Sequence, residues 1–299
     1  MRGVFILSMG VAFLAGACCC EAQNSPGWVS AVAYAERQSP QARIVVLDTA
    51  TGQLLAASHL REAALTLAAP GSTLKPLVLY GLVAAGRWDP ARRIACTRNL
   101  RIAGRSLNCS HPASDPMDAR QALAWSCNTY FATVGATLGN GELRRLLSPT
   151  GILGQTGLAA DEAKAAFREP RTQDEASLTL LGVDGIRVSP LELAAAYRWL
   201  ALQLAARGGS AAAQAVHAGL ADSASFGIAA SASLGDVSVA GKTGTANLGP
   251  GTPSHGWFAG FAPAGQPRAV VVVYLPAGHG ANAAQVAADL LAHSPMRNP

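Results

Sequence analysis

The chain has 299 residues, of which 50% are hydrophobic and 14% are charged. This composition allows a substantial buried core and excludes an intrinsically disordered chain, while the length suits one large domain or two small ones. The net charge of +5 is modest for this length, and no nucleic-acid-binding motif accompanies it.

The N-terminal residues have the pattern of an export segment. Met1-Arg2-Gly3 provides a positively charged start, and the apolar run over 4–17 is shorter than the about 20 residues that a membrane-spanning helix needs. We expect a signal peptide over 1–22 with cleavage after Ala22; an uncleaved membrane anchor and a lipid on Cys18 remain open. Each alternative places the rest of the chain outside the cytoplasm, in the periplasm or a similar space.

A helix and a hairpin are predicted next. The stretch 28–38 has the pattern of a short amphipathic helix. The apolar runs 42–48 and 54–58 are separated by a Thr-Ala-Thr-Gly turn, which predicts a β-hairpin.

Ser72 and Lys75 follow the hairpin. Pro70 and Gly71 interrupt regular secondary structure, and the residues after them favour a helix. Ser72 should therefore lie at or near the N-terminus of this helix, with Lys75 one turn later on the same face. A serine hydroxyl needs a base within hydrogen-bond reach, and a lysine with a lowered pKa can be that base. Alone, the Ser-x-x-Lys spacing is a weak signal, because many surface helices carry it by chance.

Residues 86–118 are predicted to form loops with short strands. Six arginines crowd this segment: Arg87, Arg92, Arg93, Arg98, Arg101 and Arg105. A solvated hairpin face explains them, and contact with an acidic polymer or a membrane surface is the alternative. Cys96 and Cys109 flank a polar stretch, and we expect them to form a disulfide in an oxidising compartment. No His/Cys cluster has zinc spacing, and Cys127 is interpreted as a small buried residue.

Helices dominate the middle of the chain and strands its end. Helices are predicted over 119–125, 128–138, 142–147, after Ser189-Pro190, and over 216–227. Strands are predicted over 237–246, 255–263 and 268–275, with a closing helix over 281–293. Because the strands at both chain ends must meet to form one sheet, we expect an α+β fold: an antiparallel sheet built from both ends and flanked by helices, with an all-helical insertion over about 66–234.

Three motifs occur in a specific order: Ser72-x-x-Lys75, Ser126-Cys127-Asn128 and Lys242-Thr243-Gly244. With them, the sequence resembles the transpeptidase domain of penicillin-binding proteins, in the superfamily of serine β-lactamases and DD-peptidases. The resemblance implies a β-lactamase/transpeptidase-like fold in a single domain over 23–299, with the active site between the sheet and the helices. It implies peptidoglycan stem peptides ending in D-Ala-D-Ala as substrate, β-lactams as inhibitors and cell-wall synthesis proteins as candidate partners, and it requires no metal or organic cofactor.

The resemblance also implies a role for each catalytic residue. Ser72 would be the acylated nucleophile and Lys75 its base, while Lys242 would help to keep Lys75 neutral by repulsion. Ser126 would relay a proton to the leaving amine. Asn128 would hold the peptide carbonyl of the substrate and orient Lys75.

Substrate binding is implied for the residues that follow Lys242. Thr243 and Thr245 would offer hydroxyls to the terminal carboxylate, and Gly244 would let the strand lie close to the substrate. The backbone N–H groups of Ser72 and Thr245 would form the oxyanion hole.

Two other functions remain open. A class A serine β-lactamase uses a Glu to activate the deacylating water, and Glu169-Pro170 resembles part of that motif, although the characteristic Asn does not follow in place. A non-catalytic β-lactam sensor or wall-binding module is the other alternative. We find no membrane-spanning signalling segment of the kind that such a sensor carries, and every catalytic position is intact.

Overall fold

The computed structural model describes residues 25–112, 115–247 and 252–297, so the predicted export segment with Cys18 and Ala22 lies outside the described residues. The α-helices are α1 (Pro26–Gln38), α2 (Leu60–Leu65), α3 (Lys75–Ala84), α4 (Ala119–Ala124), α5 (Asn128–Gly135), α6 (Glu142–Leu147), α7 (Gln173–Leu180), α8 (Pro190–Ala206), α9 (Ala211–Ser225) and α10 (Gly280–Ala292). The strands are β1 (Arg43–Asp48), β2 (Leu54–Ala57), β3 (Arg101–Ile102), β4 (Arg105–Ser106), β5 (Ala166–Phe167), β6 (Ile186–Arg187), β7 (Ala240–Asn247), β8 (Ser254–Ala262) and β9 (Ala269–Leu275). Short 3-10 helices lie at Gly71–Leu74, Ser148–Thr150 and Ala230–Ala232.

The two ends of the chain form one antiparallel sheet, as the sequence predicts. Its five strands lie in the order β2-β1-β9-β8-β7. β1 joins the N-terminal hairpin to the C-terminal strands, with Arg43 opposite Tyr274 and Asp48 opposite Ala269. The α+β fold class is therefore confirmed. β7 is an edge strand of this sheet, which matters for the site because it carries the third motif.

Helices cover both faces of the sheet. α1 and α10 pack on one face, and α8 packs on the other against β1, β8 and β9. Side chains of a strand alternate between faces, so Val271 and Val273 belong to the core under α1 and α10, while Val270 and Val272 belong to the core on the α8 side. A strand buried on both faces is the reason for this unbroken valine run.

The region between β2 and β7 is not entirely helical. It contains two small antiparallel ribbons, β3 with β4 and β5 with β6, in addition to α2 through α9. α2 and α7 were not expected from the sequence. α8 begins as predicted: the Ser189 hydroxyl accepts from the backbone of Glu192, the Glu192 carboxylate accepts from Ser189 N, and Pro190 takes the first helical position. None of the helices within the described ranges is long and apolar enough to cross a membrane.

Candidate active site

Ser72 lies in the 3-10 helix Gly71–Leu74, and α3 begins only at Lys75. The sequence predicted Ser72 at or near the N-terminus of a helix, and the structure places it in a tight turn that directly precedes α3. Pro76 explains where the α-helix begins, because proline is tolerated in the first helical turn. In a 3-10 helix, residues three apart eclipse each other, so Ser72 and Lys75 share one side of the turn.

Glycines let this turn lie directly against β7. Gly71 has φ +56°, and a Cβ there would approach Thr245 N to 3.0 Å. A Cβ on Gly244 would lie 2.4 Å from Pro70 O, and one on Gly182 would lie 2.1 Å from Gly71 O. Gly71 N also donates to Gly182 O at 2.9 Å. These close approaches explain why Gly244 and Gly182 have no side chain, and they place the Thr245 backbone beside the nucleophile turn.

Three buried side chains hold the ends of the turn. Trp257 Nε1 donates to Ala69 O at 2.9 Å, and His255 Nε2 lies 2.9 Å from the same carbonyl. Burial lowers the pKa of His255, which favours a neutral ring that donates from Nε2. The Tyr197 hydroxyl donates to Thr73 O at 2.9 Å. Sequence reasoning missed all three; the one available signal was that His255 and Trp257 share a face of β8.

The second motif surrounds the amine of Lys75. Lys75 is completely buried, and its Nζ donates to Asn128 Oδ1 at 2.7 Å, to Ser126 O at 2.9 Å and to Ser126 Oγ at 3.2 Å. Burial lowers the pKa of Lys75 to about 7. Three acceptors match the three N–H groups of an ammonium, whereas the neutral amine keeps a lone pair that can accept a proton. At neutral pH, Lys75 is therefore divided between its protonated and its neutral form.

Ser126 and Asn128 are themselves held in place. Ser126 has φ 56°, in the left-handed region, which costs a non-glycine residue about 1–3 kcal/mol. This conformation presents both its carbonyl and its hydroxyl to Lys75. Asn128 Nδ2 donates to Leu107 O at 3.1 Å, which leaves Oδ1 facing the lysine. The loop before α4 therefore supports the second motif.

Lys242 is the second fully buried lysine. Its Nζ donates to Thr243 O at 3.2 Å. Burial lowers the pKa of Lys242 well below its ordinary value, and the charge of Lys75 lowers it further. Burial is the main cause of the lowered pKa of Lys75, and the repulsion between the two amines is a cause of the lowered pKa of Lys242. The implied role of Lys242, to help keep Lys75 neutral, stays a prediction.

Thr243 of the third motif and Thr245, which follows that motif, lie on one face of β7, towards α10. Thr243 is 4% exposed, and its hydroxyl lies 3.5 Å from Ile228 O. Thr245 is exposed, and its Oγ1 accepts from Gly280 N at 2.9 Å. Each hydroxyl already has a backbone partner, so their predicted contact with a substrate carboxylate stays a prediction.

A cleft of about 1040 Å³ is lined by Ala69, which directly precedes the nucleophile turn, and by Thr245, whereas Ser72 and Lys75 are not among its lining residues. Basic side chains also line it: Arg105, Arg168 and Arg187. Asp184 pairs with Arg105 at 3.4 Å and with Arg168 at 3.3 Å, while Arg187 is exposed and has no ion pair within the described ranges. The volume suits a peptide, and the basic wall suits a ligand that carries carboxylates.

Glu169 does not take part in this cleft. Its Oε2 accepts from Arg144 Nε at 3.0 Å. It lines a separate cavity of about 110 Å³, whose lining residues come from 138–143 and 169–176. Glu169 is therefore neither among the residues that line the larger cleft nor among the hydrogen-bond partners of the Lys75 amine.

The predicted disulfide is wrong in this structure. Cys96 and Cys109 are free thiols, with their sulfur atoms 3.4 Å apart instead of the about 2.05 Å of a bond. Cys127 is fully buried, as expected, but its sulfur lies only 3.9 Å from that of Cys109. Three thiols therefore converge beside the second motif.

Two comparisons with known proteins gave a match, one for the family and one for the fold. Residues 42–292 match the family model for the penicillin binding protein transpeptidase domain. No curated protein sequence matches the chain. Among solved structures, the chain is similar to the D,D-transpeptidase domain of a peptidoglycan glycosyltransferase from Eggerthella lenta, with a TM-score of 0.73 and 20% identity over 90% of this chain and 81% of that one. The structural similarity shows the fold, and the family model matches most of the chain. The chain therefore belongs to the penicillin-binding protein transpeptidase domain family.

Proposed function

We propose that this protein is an acyl-serine D,D-transpeptidase that acts on the D-Ala-D-Ala end of peptidoglycan stem peptides and works as a carboxypeptidase when water is the acceptor. The observation that carries the proposal is the buried amine of Lys75, bonded to Ser126 and Asn128 next to the Ser72 turn. Burying a lysine is costly unless it is hydrogen-bonded or neutral, so a module that only binds cell wall gains nothing from this arrangement.

Acylation of Ser72 uses residues from all three parts of the proposed site. Ser72 Oγ attacks the carbonyl carbon of the penultimate D-Ala while its proton passes to the neutral amine of Lys75. The backbone N–H groups of Ser72 and Thr245 stabilise the oxyanion, a contribution that is typically worth about 10²–10³ in rate for one donor. The C–N bond then breaks, and the departing D-Ala amine takes its proton through Ser126 Oγ, which lies 3.2 Å from Lys75 Nζ.

Deacylation reverses these roles. An amine of a neighbouring stem peptide attacks the ester carbonyl, forms the cross-link and returns the proton to Ser72 by way of Lys75. Water in place of the amine releases the shortened stem peptide. Penicillin would acylate Ser72 by the same route, with the nitrogen of the opened β-lactam ring as the leaving group, and would then block the site.

A class A β-lactamase is the less favoured alternative. Rapid hydrolysis of a penicillin acyl group needs a positioned water and a second base. Glu169 is paired with Arg144 beside a separate cavity, so it does not support that role. The proposed enzyme therefore holds its penicillin adduct instead of hydrolysing it quickly.

Localisation and partners follow from the proposed substrate. Peptidoglycan is cross-linked outside the cytoplasm, so we propose that residues 1–22 export the chain and that the single domain 23–299 works in the periplasm or an equivalent space. The N-terminus would be cleaved there or would remain as an anchor, and cell-wall synthesis proteins are the candidate partners.

The test is release of D-Ala from an N-acylated Lys-D-Ala-D-Ala peptide by the purified protein. We expect D-Ala from the wild type and from the control Ser30→Ala, which alters an exposed serine on α1, and none from Ser72→Ala. Addition of a D-amino acid as acceptor should convert part of the product to the exchanged peptide. Release of D-Ala by Ser72→Ala at the wild-type rate would remove Ser72 as the nucleophile.

A further inference from the structure

Four side chains next to the second motif direct their metal-binding atoms at one another. The sulfur atoms of Cys96, Cys109 and Cys127 and a ring nitrogen of His111 all lie within 4.8 Å of one another. Cys109, His111 and Cys127 are buried, at 8%, 2% and 0% exposure. Three cysteines and one histidine form a recognised ligand set for structural zinc.

The spacing of these atoms matches a tetrahedron around one ion. Zinc–sulfur bonds of about 2.3 Å and zinc–nitrogen bonds of about 2.0 Å give edges of about 3.8 Å between two sulfurs and about 3.5 Å between sulfur and nitrogen. The Sγ atoms of Cys96 and Cys109 are 3.4 Å apart, and those of Cys109 and Cys127 are 3.9 Å apart. His111 Nε2 lies 3.4 Å from Cys96 Sγ. A disulfide would engage two of the four groups and would leave His111 and Cys127 unexplained.

The ring of His111 is oriented as in a metal ligand. Its Nδ1 lies 2.7 Å from Pro112 O, so in the neutral ring this nitrogen carries the proton and donates it to the carbonyl. The other nitrogen, Nε2, then presents a lone pair to Cys96. A backbone carbonyl that fixes the tautomer of a ligating histidine is a usual second layer of a metal site.

Backbone N–H groups face the sulfurs. Asn128 N donates to Cys109 Sγ at 3.1 Å, and Tyr130 N donates to Cys127 Sγ at 3.5 Å. Both donors belong to the first turn of α5, where the helix presents its positive end. Such donors stabilise the thiolate, which is the form that binds a metal ion.

We propose that Cys96, Cys109, His111 and Cys127 together bind one Zn²⁺ ion in a closed, four-coordinate site. Three thiolates and one imidazole favour zinc over the hard cations Mg²⁺ and Ca²⁺, and four protein ligands leave no open position for chemistry. The site is therefore structural.

Its place in the fold defines what the ion holds together. Cys96 and Cys109 come from the segment that contains the β3–β4 ribbon, whereas Cys127 stands between Ser126 and Asn128, the two residues that bond Lys75. The ion thus anchors the arginine-rich segment to the second motif.

Metal content of the full chain tests the proposal without any assay of catalysis. We expect one zinc per chain in protein purified without chelators. Replacement by Co²⁺ should give thiolate-to-cobalt charge transfer and the ligand-field bands of a tetrahedral ion. His111→Ala should weaken zinc binding by more than the about 10–100-fold that a change outside the ligand set costs. In the wild type the ring of His217 bonds Ala264 O, in the loop between β8 and β9, and does not belong to the cluster. The matched control His217→Ala should therefore keep its zinc.

Two measurements on the wild-type protein test the zinc site even if a variant fails to fold. A Cys96–Cys109 disulfide in non-reducing peptide maps of protein isolated from an oxidising compartment would overturn the proposal. So would reduced, metal-free protein that takes up no Zn²⁺ in competition with a chromogenic chelator. Both readouts are independent of Ser72, so failure of the zinc site and failure of the proposed enzyme activity are distinguishable.

Discussion

Asn128 Oδ1 lies 2.7 Å from Lys75 Nζ, although the two residues are 53 positions apart in the chain. The bond joins the proposed base of the first motif to the second motif. The same amide donates to Leu107 O at 3.1 Å, so its orientation depends on the loop that leads to Cys109. Placement of the base is therefore a property of several segments and not of the nucleophile turn alone.

Replacement of Lys75 and replacement of Lys242 by alanine should impair acylation in different ways. Lys75→Ala should lose penicillin acylation by at least the about 10²–10⁴-fold that general base catalysis supplies, at every pH. Lys242→Ala should react more weakly and should lose its preference for donors that carry a carboxylate. Acylation rates with a penicillin and with its carboxyl ester separate the two effects. Equal rates for Lys75→Ala and wild type would remove Lys75 as the base.

The acylation rate should depend on pH through Lys75. Its pKa is lowered to about 7 by burial, and only the neutral amine can take the proton of Ser72. The rate should therefore rise about tenfold per pH unit below pH 7 and level off above it, because the neutral fraction grows and then saturates. Stopped-flow acylation between about pH 5 and about pH 9 measures this profile. A flat profile would show that another group is the base.

Gly182 should be far more sensitive to alanine than Gly157, although both have positive φ, +70° and +76°. Each variant carries the about 1–2 kcal/mol of a left-handed alanine. Only at Gly182 would the new Cβ also meet backbone, 2.1 Å from Gly71 O, whereas at Gly157 nothing lies within 4 Å. We expect Gly182→Ala to lower both the melting temperature and the acylation rate, since the nucleophile turn must shift. Identical melting temperatures and acylation rates for the two variants would contradict this packing.

Glu169 should be dispensable for turnover of the acyl-enzyme. Its carboxylate pairs with Arg144 beside a separate cavity, so Glu169→Gln should leave the lifetime of the penicillin adduct unchanged. Adduct mass followed over time in wild type and variant gives this lifetime. An adduct that becomes much longer-lived in Glu169→Gln would indicate a β-lactamase-like deacylating base.

Local patterns of the sequence predicted the sheet and several helix ends. The valine run 270–273 is typical of a strand buried on both faces, and the Ser189 cap with Pro190 marks the start of α8. The order of the three motifs predicted that they share a site. The structure shows direct contact between the first two motifs, because the Lys75 amine hydrogen-bonds to Ser126 and Asn128.

Features that arise from distant contacts could not be predicted in this way. One example is the left-handed conformation of Ser126. Another is the pair of hydrogen bonds from His255 and Trp257 to Ala69 O, which join segments that are far apart in sequence. The thiol cluster is the clearest case, because Cys96 and Cys127 are widely separated and fit no short zinc-finger spacing. Cys109 and His111, two positions apart, were the only local sign of it.

Intact mass of the protein after mixing with penicillin, followed over time, tests the central claim most directly. Ser72, its base and the oxyanion donors suffice for acylation, whereas fast hydrolysis needs a further base. We therefore expect one adduct that persists for minutes or longer, that maps to the peptide containing Ser72 and that is missing from Ser72→Ala, with little nitrocefin turnover in parallel. Fast steady-state nitrocefin hydrolysis with no trapped adduct would contradict the claim and would make this protein a β-lactamase.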